Sequence, residues 1–256
     1  MVKESARAII VPARLESVRF PRKLLYEVRG LPIILHTARQ IQNVMPSVPL
    51  YFAVADRELL DLLRGEGYDC VKTDPSLASG TDRIAAANRE ICADYVVNVQ
   101  ADEPLVTGEQ IRALFAMLSG DVDMSTLGVY LDSYERWTDP NQVKIVRGLD
   151  GRALYFSRSP IPFDRDQTGK SLAPENLDSP WLGHLGLYGY RADFLEKFVS
   201  LPPSPLEKSE KLEQLRALEN GFQIQVGISE DKSVGVDVPA DIERLEMALD
   251  QSKSRK

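Results

Sequence analysis

The chain has 256 residues, 43% of them hydrophobic and 27% charged, which is enough for one large α/β domain with a sizeable core. Its formal net charge of −7 argues against a nucleic-acid-binding protein, since such proteins present a basic face. The amino terminus lacks the apolar region of a signal peptide, and its apolar stretch is too short to span a membrane. The two cysteines, Cys70 and Cys92, lack metal-ligand spacing and are typical of reduced thiols. The sequence therefore predicts a cytoplasmic protein that binds neither membranes nor nucleic acid.

Apolar strands and amphipathic helices alternate along the first half of the chain. Strands are predicted at "ARAIIVPA", "LYFAVA", "DCVKT" and "DYVVNVQ", and helices at "PIILHTARQIQNV", "DRELLDLLRGEG", "SGTDRIAAANREI" and "TGEQIRALFAMLS". Continuous apolar strands separated by helices indicate a mostly parallel central sheet flanked by helices, which is a Rossmann-like α/β architecture. Ligands of such sheets bind at the carboxyl ends of the strands, so residues that follow a strand are candidates for a site.

The second half has more strands and fewer helices. From about residue 122 to 160, "VDMSTLGVYL", "QVKIVRG" and "ALYFSRS" predict strands, and "DGRA" predicts a hairpin turn. A loop is predicted over residues 160–182. Strands at "HLGLYGYR", "QIQVGIS" and "VGVDV" and helices at "ADFLEKFVSL", "SPLEKSEKLEQLRALENG" and "PADIERLEMALD" complete the chain. No linker divides it, so residues 1–256 are predicted to form a single domain, with a smaller β-rich region at about residues 122–220.

A basic stretch, "VPARLESVRFPRKLL", follows the first predicted strand. It contains Arg14, Arg19, Arg22 and Lys23, although the chain as a whole is acidic. The stretch has neither the GxGxxG pattern nor the glycine-rich loop of a P-loop, so cationic side chains rather than backbone amides would bind an anion there. The position predicts a phosphate site, and the alternative is a solvated surface loop.

Two aspartates also follow predicted strands. Asp102 comes after "VVNVQ", close to Gln100, and Asp237 lies in "VGVDVPADIERL". Magnesium commonly binds one or two carboxylates together with phosphate oxygens, so the pair predicts a magnesium site next to the basic stretch. Two structural alternatives remain open: Asp102 forms a turn before Pro104, and Asp237 caps the final helix.

The stretch "LASGTDRI" predicts a helix start at the end of the third strand. Ser79, Gly80 and Thr81 form a small-residue loop that can accept an anion or a base, and a plain helix cap explains them equally well. Arg83, one turn into the helix, is either a ligand contact or an exposed charge.

Four polar residues of the second half are further candidates. His184 and Tyr188 are four positions apart in a predicted strand and would share one face, although an isolated histidine is more often structural. Glu213 and Gln214 lie in a predicted helix, where the alternative is that Glu213 faces solvent.

Taken together, these stretches resemble the bacterial 3-deoxy-D-manno-octulosonate (Kdo) cytidylyltransferases, also called CMP-Kdo synthetases. The resemblance extends from about residue 6 to about residue 250. The motifs that carry it, in order, are "IIVPAR" with "SVRFPRKL", "ASGTDR", "VNVQADEP", "NQVKIV", "ALYFSRSPIPFDRD", "HLGLYGYR", "PSPLEKSEKLEQLRAL" and "GVDVPADIERL". One such motif would be weak evidence, whereas eight in the same order are strong evidence.

The resemblance implies a nucleotidyltransferase fold and the reaction of CTP with Kdo to give CMP-Kdo and pyrophosphate, for lipopolysaccharide biosynthesis. It implies that CTP contacts Ala13, Arg14, Arg19, Lys23, Ser79, Gly80 and Gln100. The sugar would contact Gln100, Arg158, His184, Tyr188, Glu213 and Gln214. Asp102 and Asp237 would bind Mg²⁺ and, with Arg14 and Lys23, form the catalytic group. The resemblance also implies a homodimer, with the β-rich region supplying the sugar pocket and the dimer interface.

The chain departs from the family pattern at several positions. The family's Pro-Gly-Lys-Pro is Pro-Arg-Lys-Leu here, so Arg22 replaces a glycine, and Ala101 replaces the glycine before the first aspartate. Val238 replaces a threonine after the second aspartate, which is expected to weaken the helix cap. A modified substrate such as 8-amino-Kdo, another acidic sugar such as a sialic acid, and a non-catalytic nucleotide-binding homologue are therefore the alternatives.

Overall fold

A computed structural model describes residues 6–163, 165, 181–231 and 235–253. The chain divides into two compact units, one of residues 1–112 with 233–256 and one of residues 113–232. The α/β fold with a mostly parallel central sheet is confirmed. The single domain stays a prediction, because it concerns whether the units fold independently. Most of the loop predicted over 160–182, namely residues 164 and 166–180, lies outside the described residues.

The first unit alternates strands and helices as predicted. Its elements are β1 (Arg7–Ala13), a 3-10 helix (Lys23–Leu25), β2 (Glu27–Val28), β3 (Leu31–Pro32), α1 (Ile33–Val44), β4 (Leu50–Val54), α2 (Arg57–Gly65), β5 (Asp69–Lys72), α3 (Gly80–Ile91), β6 (Tyr95–Asn98), the first half of α4 (Gly108–Met117) and, from the carboxyl-terminal part, α9 (Asp241–Lys253).

The parallel strands of this unit bring their carboxyl ends to one edge. They lie in the order β6-β1-β4-β5, and β1 pairs with β4 and β6 in parallel register. Residues 8–13 of β1 are buried, as its continuous apolar sequence predicts. Because Asn98 at the end of β6 pairs with Ile10, the chain after β6 runs beside the end of β1. The basic stretch and the segment with Asp102 therefore meet.

A hydrophobic cluster fixes the basic stretch against the carboxyl-terminal segment. Phe20 packs in one cluster with Val28, Ile33, Val236 and Leu245. The backbone N–H of Val236 also donates to the carbonyl of Asp102 at 3.0 Å. These contacts place the residue after Val236, which is Asp237, next to both Asp102 and the basic stretch.

The start of α9 differs from the prediction. The described residues of "VGVDV", 235–238, form no strand, and the helix begins at Asp241. The Asp241 carboxylate accepts the backbone N–H groups of Asp237 and Val238, both at 2.9 Å. The Asp241 side chain thus stabilises the segment that precedes α9, and Asp237 lies four residues before the first residue of the helix.

The second unit contains the remaining part of α4, β7 (Met124–Tyr130), α5 (Tyr134–Thr138), β8 (Lys144–Arg147), β9 (Ala153–Ser157), β10 (Leu182–Arg191), α6 (Ala192–Ser200), α7 (Pro205–Glu210), α8 (Leu215–Glu219) and β11 (Ile224–Ile228). Strands β8 and β9 form the predicted hairpin, β7 pairs antiparallel with β10, and β11 pairs parallel with β7.

Two irregularities in this unit depart from the predicted elements. The long helix predicted at "SPLEKSEKLEQLRALENG" is broken, because Lys211 after α7 adopts a left-handed backbone conformation with φ 55°. Glu213 and Gln214 therefore lie in the turn between α7 and α8. Strand β10 contains a bulge, because His184 pairs with Gly128 and Tyr188 with Thr126, so that four residue steps of β10 lie opposite two steps of β7. Gly186, within this bulge, has φ 71°.

No helix within the described part of the chain is both long and apolar enough to cross a membrane. Both cysteines are free thiols. Cys70 is half-buried, and burial raises its pKa to about 11, whereas Cys92 is exposed.

Candidate active site

A cleft of about 310 Å³ opens at the carboxyl edge of the parallel strands of the first unit. Its walls come from the basic stretch, the start of α3, the segment after β6 and the segment before α9. Of the sequence-predicted site residues, Ala13, Arg14, Arg19, Lys23, Gly80, Gln100, Asp102 and Asp237 line it. The structure thus gathers both metal-side candidates and all nucleotide-side candidates except Ser79 around one space, and their roles remain predictions.

Lys23 lies at the centre of the charged groups in this cleft. Its ammonium group donates to the carboxylate of Asp102, to Oδ1 of Asp237 at 3.3 Å and to the carbonyl of Val236 at 3.0 Å. The Lys23 side chain is only 14% exposed. Three acceptors match the three N–H groups of a lysine, so both aspartates aim their oxygens at one point that a cation occupies.

Arg19 is a second cation that pairs with Asp237, on the solvent-exposed side of the cleft. It contacts the other oxygen of Asp237 at 2.5 Å, and both side chains are about half exposed, at 59% and 49%. Exposed ion pairs contribute little to stability because solvent screens them, so a ligand phosphate can take the place of Asp237 at low cost. Arg14 is exposed at the end of β1 and lines the same cleft.

Arg83 is a buried cation beneath the cleft. It is 1% exposed and donates to Oγ1 of Thr73 at 2.6 Å and to the carbonyl of Asp74 at 3.2 Å. Burial lowers the pKa of Arg83, and the nearby positive charge of Arg14 lowers it further. The interpretation of Arg83 as an exposed helical charge is therefore wrong, whereas its other interpretation, as a ligand contact, stays a prediction for a residue that lines the cleft.

Ser79 performs the helix-capping role that the sequence left open. Its hydroxyl accepts the N–H of Asp82 at 3.1 Å, and the Asp82 carboxylate accepts the N–H of Ser79 at 3.0 Å, which is a capping box. Gly80, the first residue of α3, reaches the cleft. A contact between Ser79 and a nucleotide stays a prediction.

Arg22 points away from the cleft lining. Its guanidinium donates to both oxygens of Glu58, at 2.7 and 2.8 Å, and this pair raises its pKa. Its backbone is left-handed, with φ 57°, a conformation that glycine adopts without steric cost. This explains why glycine suits the position. Nothing in the local sequence could have indicated a partner 36 residues further along the chain.

The alanine at position 101, where the family has glycine, causes no backbone strain. The described non-glycine residues with positive φ are Arg22, Arg29, Cys92 and Lys211, and Ala101 is not among them. Ala101 lines the cleft, and its carbonyl accepts the hydroxyl of Thr37 at 2.9 Å. Its methyl group therefore affects only the space available to a ligand.

In the second unit, His184 lies between two aromatic rings. The ring centroids of Phe156 and Tyr188 are each 5.2 Å from that of His184. Nε2 of His184 is 2.9 Å from the hydroxyl of Thr126, which donates its proton to the carbonyl of Leu187. Because that proton is used, Nε2 must donate to Thr126, which leaves Nδ1 as an acceptor. Burial lowers the pKa of His184 to about 3, so the ring is neutral at physiological pH.

This pKa predicts a pH-dependent stability. Between pH 6.5 and about 3 the unfolded chain binds a proton at His184 that the folded chain does not, so the free energy of unfolding decreases as the pH falls. One such group contributes at most about 1.4 kcal/mol per pH unit. Urea unfolding between pH 7 and pH 5 should show a shallower pH dependence for His184→Gln. Equal slopes for the two proteins would contradict the neutral, buried ring.

The other sugar-side candidates lie around the turn between α7 and α8. Burial raises the pKa of Tyr188, and the charges of Tyr190 and Glu213 raise it further. Gln214 is 4% exposed, and its Nε2 finds no acceptor among the described residues. A buried, unpaired amide is costly, and a ligand oxygen would satisfy it. Arg158, at the end of β9, contacts Glu210 of α7.

The comparisons with known proteins identify the family of this chain. A sequence profile of the cytidylyltransferase family matches residues 8–228. A 3-deoxy-manno-octulosonate cytidylyltransferase from Syntrophobacter fumaroxidans is 43% identical over 247 residues, 94% of this chain and 96% of that protein. The chain belongs to the 3-deoxy-manno-octulosonate cytidylyltransferase family.

Other members of this family support the same assignment. The 3-deoxy-manno-octulosonate cytidylyltransferase of Stenotrophomonas maltophilia is 41% identical over 253 residues, 96% of this chain and 98% of its own length. Among solved structures, a CMP:2-keto-3-deoxy-manno-octonic acid synthetase complexed with CTP superposes with a TM-score of 0.86 at 31% identity. The match covers 97% of this chain and 100% of the other, so the cytidylyltransferase family resemblance extends to the whole fold.

Proposed function

We propose that this protein transfers CMP from CTP to Kdo, which gives CMP-Kdo and pyrophosphate for lipopolysaccharide biosynthesis. Family membership supports the reaction type. The observation that carries the proposal is the convergence of Asp102 and Asp237 on Lys23 at the carboxyl edge of the sheet, with Arg14 and Arg19 in the same cleft.

The two aspartates fit a magnesium ion. The described residues contain no cluster of three His, Cys, Asp or Glu side chains that could hold a metal. Magnesium needs fewer protein ligands when phosphate oxygens complete its shell, and Asp102 and Asp237 direct their oxygens to a common point. When bound there, magnesium would neutralise phosphate charge and lower the pKa of the attacking hydroxyl.

The cations of the cleft stabilise the charge that develops on the leaving group. The anomeric hydroxyl oxygen of the sugar bonds to the α-phosphorus, and the bond from that phosphorus to the bridging oxygen of pyrophosphate breaks. The hydroxyl proton leaves to solvent. Lys23, Arg19 and Arg14 supply positive charge where pyrophosphate departs, so the reaction needs positioning and electrostatics rather than a covalent nucleophile.

The second unit supplies groups suited to an acidic sugar. Arg158 offers a fork of N–H donors for the sugar carboxylate. The unpaired amide of Gln214, the acceptor nitrogen of His184 and the carboxylate of Glu213 suit hydroxyl groups. Tyr188, protonated because burial raises its pKa, can donate a further hydrogen bond.

We also propose that the protein is a cytoplasmic homodimer whose interface lies within about residues 122–220. Leu149 and Leu154, on the β8–β9 hairpin, are exposed apolar side chains, which supports an interface there. Light scattering after size exclusion should give twice the mass of the chain.

The proposed reaction is tested by pyrophosphate release from CTP, Mg²⁺ and a sugar. Kdo is the expected substrate, and 8-amino-Kdo and a sialic acid are assayed in parallel as alternative substrates. Turnover only with one of the competing sugars would reassign the substrate. Tight CTP binding in calorimetry without turnover of any sugar would favour a non-catalytic homologue.

A further inference from the structure

Glu210, the last residue of α7, is bonded to the end of β9 through all its acceptor oxygens. Its carboxylate accepts the hydroxyl of Ser157 at 2.5 Å and the backbone N–H of Arg158 at 3.0 Å. Its carbonyl accepts Nε–H of Arg158 at 2.8 Å. The Ser157 hydroxyl in turn accepts the N–H of Ser159 at 3.0 Å. One residue therefore holds both the backbone and the side chain of Arg158.

The guanidinium of Arg158 has acceptors at two of its three nitrogen atoms. Nε donates to Glu210, and Nη1 donates to the carbonyl of Pro140 at 3.0 Å. No acceptor for Nη2 is found in the described ranges. Because guanidinium is planar, these two bonds fix its orientation and leave the Nη2 side available to a ligand.

A buried lysine bonds to the other backbone polar group of Arg158, its carbonyl. Lys144 is fully buried, and its ammonium group donates to the carbonyl of Arg158 at 2.6 Å and to the carbonyls of Asp139 and Gln142. The N–H of Arg158 is thus bonded to Glu210 and its C=O to Lys144. Little freedom remains for the backbone of Arg158 while both contacts persist.

Glu210 also marks the start of the turn that carries the other sugar-side residues. The chain reverses at Lys211, and Glu213 and Gln214 follow within four residues of Glu210. At the far end of the turn, Arg216 forms a buried ion pair with Glu207, with contacts of 2.6 and 2.8 Å. The turn is therefore anchored at both ends, and only the Glu210 anchor reaches Arg158.

We propose that Glu210 is a positioning residue for the acidic sugar, which sets the guanidinium of Arg158 at a fixed distance from the Glu213–Gln214 turn. This role rests on the proposed function, because it presumes that Arg158 binds the sugar carboxylate. Glu210 itself does not touch the sugar. Its carboxylate acts through two bonds to β9, and its loss would let Arg158 and the turn move apart.

The test compares Glu210→Ala, Glu210→Gln and Glu219→Ala. Glu219 is a matched control, since its carboxylate also accepts a backbone N–H across the α7–α8 pair, that of Leu206, without contact to Arg158. Glu210→Ala should raise KM for Kdo by about 10- to 100-fold and leave KM for CTP unchanged, since a displacement of about 1 Å has effects of this size. Glu210→Gln, which keeps one carbonyl acceptor, should recover most of the loss. Equal changes in Glu210→Ala and Glu219→Ala would overturn the proposal.

A second measurement does not depend on turnover. The Nε–H signal of Arg158 in a ¹⁵N spectrum, assigned by its loss in Arg158→Lys, should shift and exchange faster in Glu210→Ala and stay unchanged in Glu219→Ala. An unchanged signal in Glu210→Ala would overturn the positioning role even if the enzyme is active. A shifted signal in a protein that does not turn over Kdo would instead refute the proposed function and leave the positioning of Arg158 intact.

Discussion

Asp102→Asn is expected to lower kcat for CMP transfer by about a thousandfold or more while the protein stays folded. Asparagine keeps the shape of the side chain, but it removes the negative charge that Lys23 contacts and that the proposed magnesium site needs. Loss of one preorganised electrostatic group in an active site typically costs 10²- to 10³-fold in kcat, and loss of a metal ligand adds to this. Pyrophosphate release at saturating CTP and Kdo measures the effect.

Asp250→Asn is the matched control for this variant. Asp250 also pairs with a cation of the first unit, Arg29, but it is exposed and is not among the residues that line the cleft. Its variant should keep wild-type kcat, and thermal unfolding without ligand should show both proteins folded. More than a tenth of the wild-type kcat in Asp102→Asn would exclude Asp102 from the catalytic group.

Lys23→Met is expected to change two affinities in opposite directions. The value of kcat/KM for CTP should fall by about 10²- to 10³-fold, because the triphosphate loses a preorganised cation. In the protein without nucleotide, affinity for Mn²⁺, used as a probe for the magnesium site, should rise on the order of tenfold. The reason is that the ammonium group occupies the point on which Asp102 and Asp237 converge, so it competes with a divalent ion for their oxygens.

Arg22→Gln provides the control for the Lys23 variant. It removes a positive charge from the preceding position, but that charge is paired with Glu58 outside the cleft lining. Neither the CTP kinetics nor Mn²⁺ binding, followed by electron paramagnetic resonance, should change. Unchanged or weaker Mn²⁺ binding by Lys23→Met would show that the lysine does not compete with the metal.

The sheet and the place of the cleft could be predicted from the sequence because both depend on local patterns. Continuous apolar runs such as that of β1 identify buried parallel strands, and a parallel sheet must collect their carboxyl ends at one edge. Residues that directly follow such strands, Arg14 and Asp102 among them, therefore line one cleft. Arg19 and Lys23 follow the end of β1 by six and ten residues, which is close enough along the chain for both to line the same cleft.

Helix boundaries in the second unit were less predictable. The leucine spacing of "SPLEKSEKLEQLRALENG" favours one continuous helix, yet the left-handed Lys211 ends α7 and puts Glu213 and Gln214 in a turn. Lysine is not a residue that signals such a break. Glu210 bonds to β9 and Glu207 to Arg216, and these tertiary contacts outweigh the modest helical preference of the segment.

The sequence by itself determined which residue types surround the cleft and in which order along the chain they come. Only the tertiary structure decided which charges are free to meet a ligand. Arg22 is paired with Glu58, 36 positions away, whereas Lys23 beside it joins Asp102 and Asp237, 79 and 214 positions away. Arg83 is buried, and Arg158 is held by Glu210. Hydrophobic periodicity reports the burial of each element, but pairing between distant side chains depends on how the elements pack, which no local pattern in one sequence encodes.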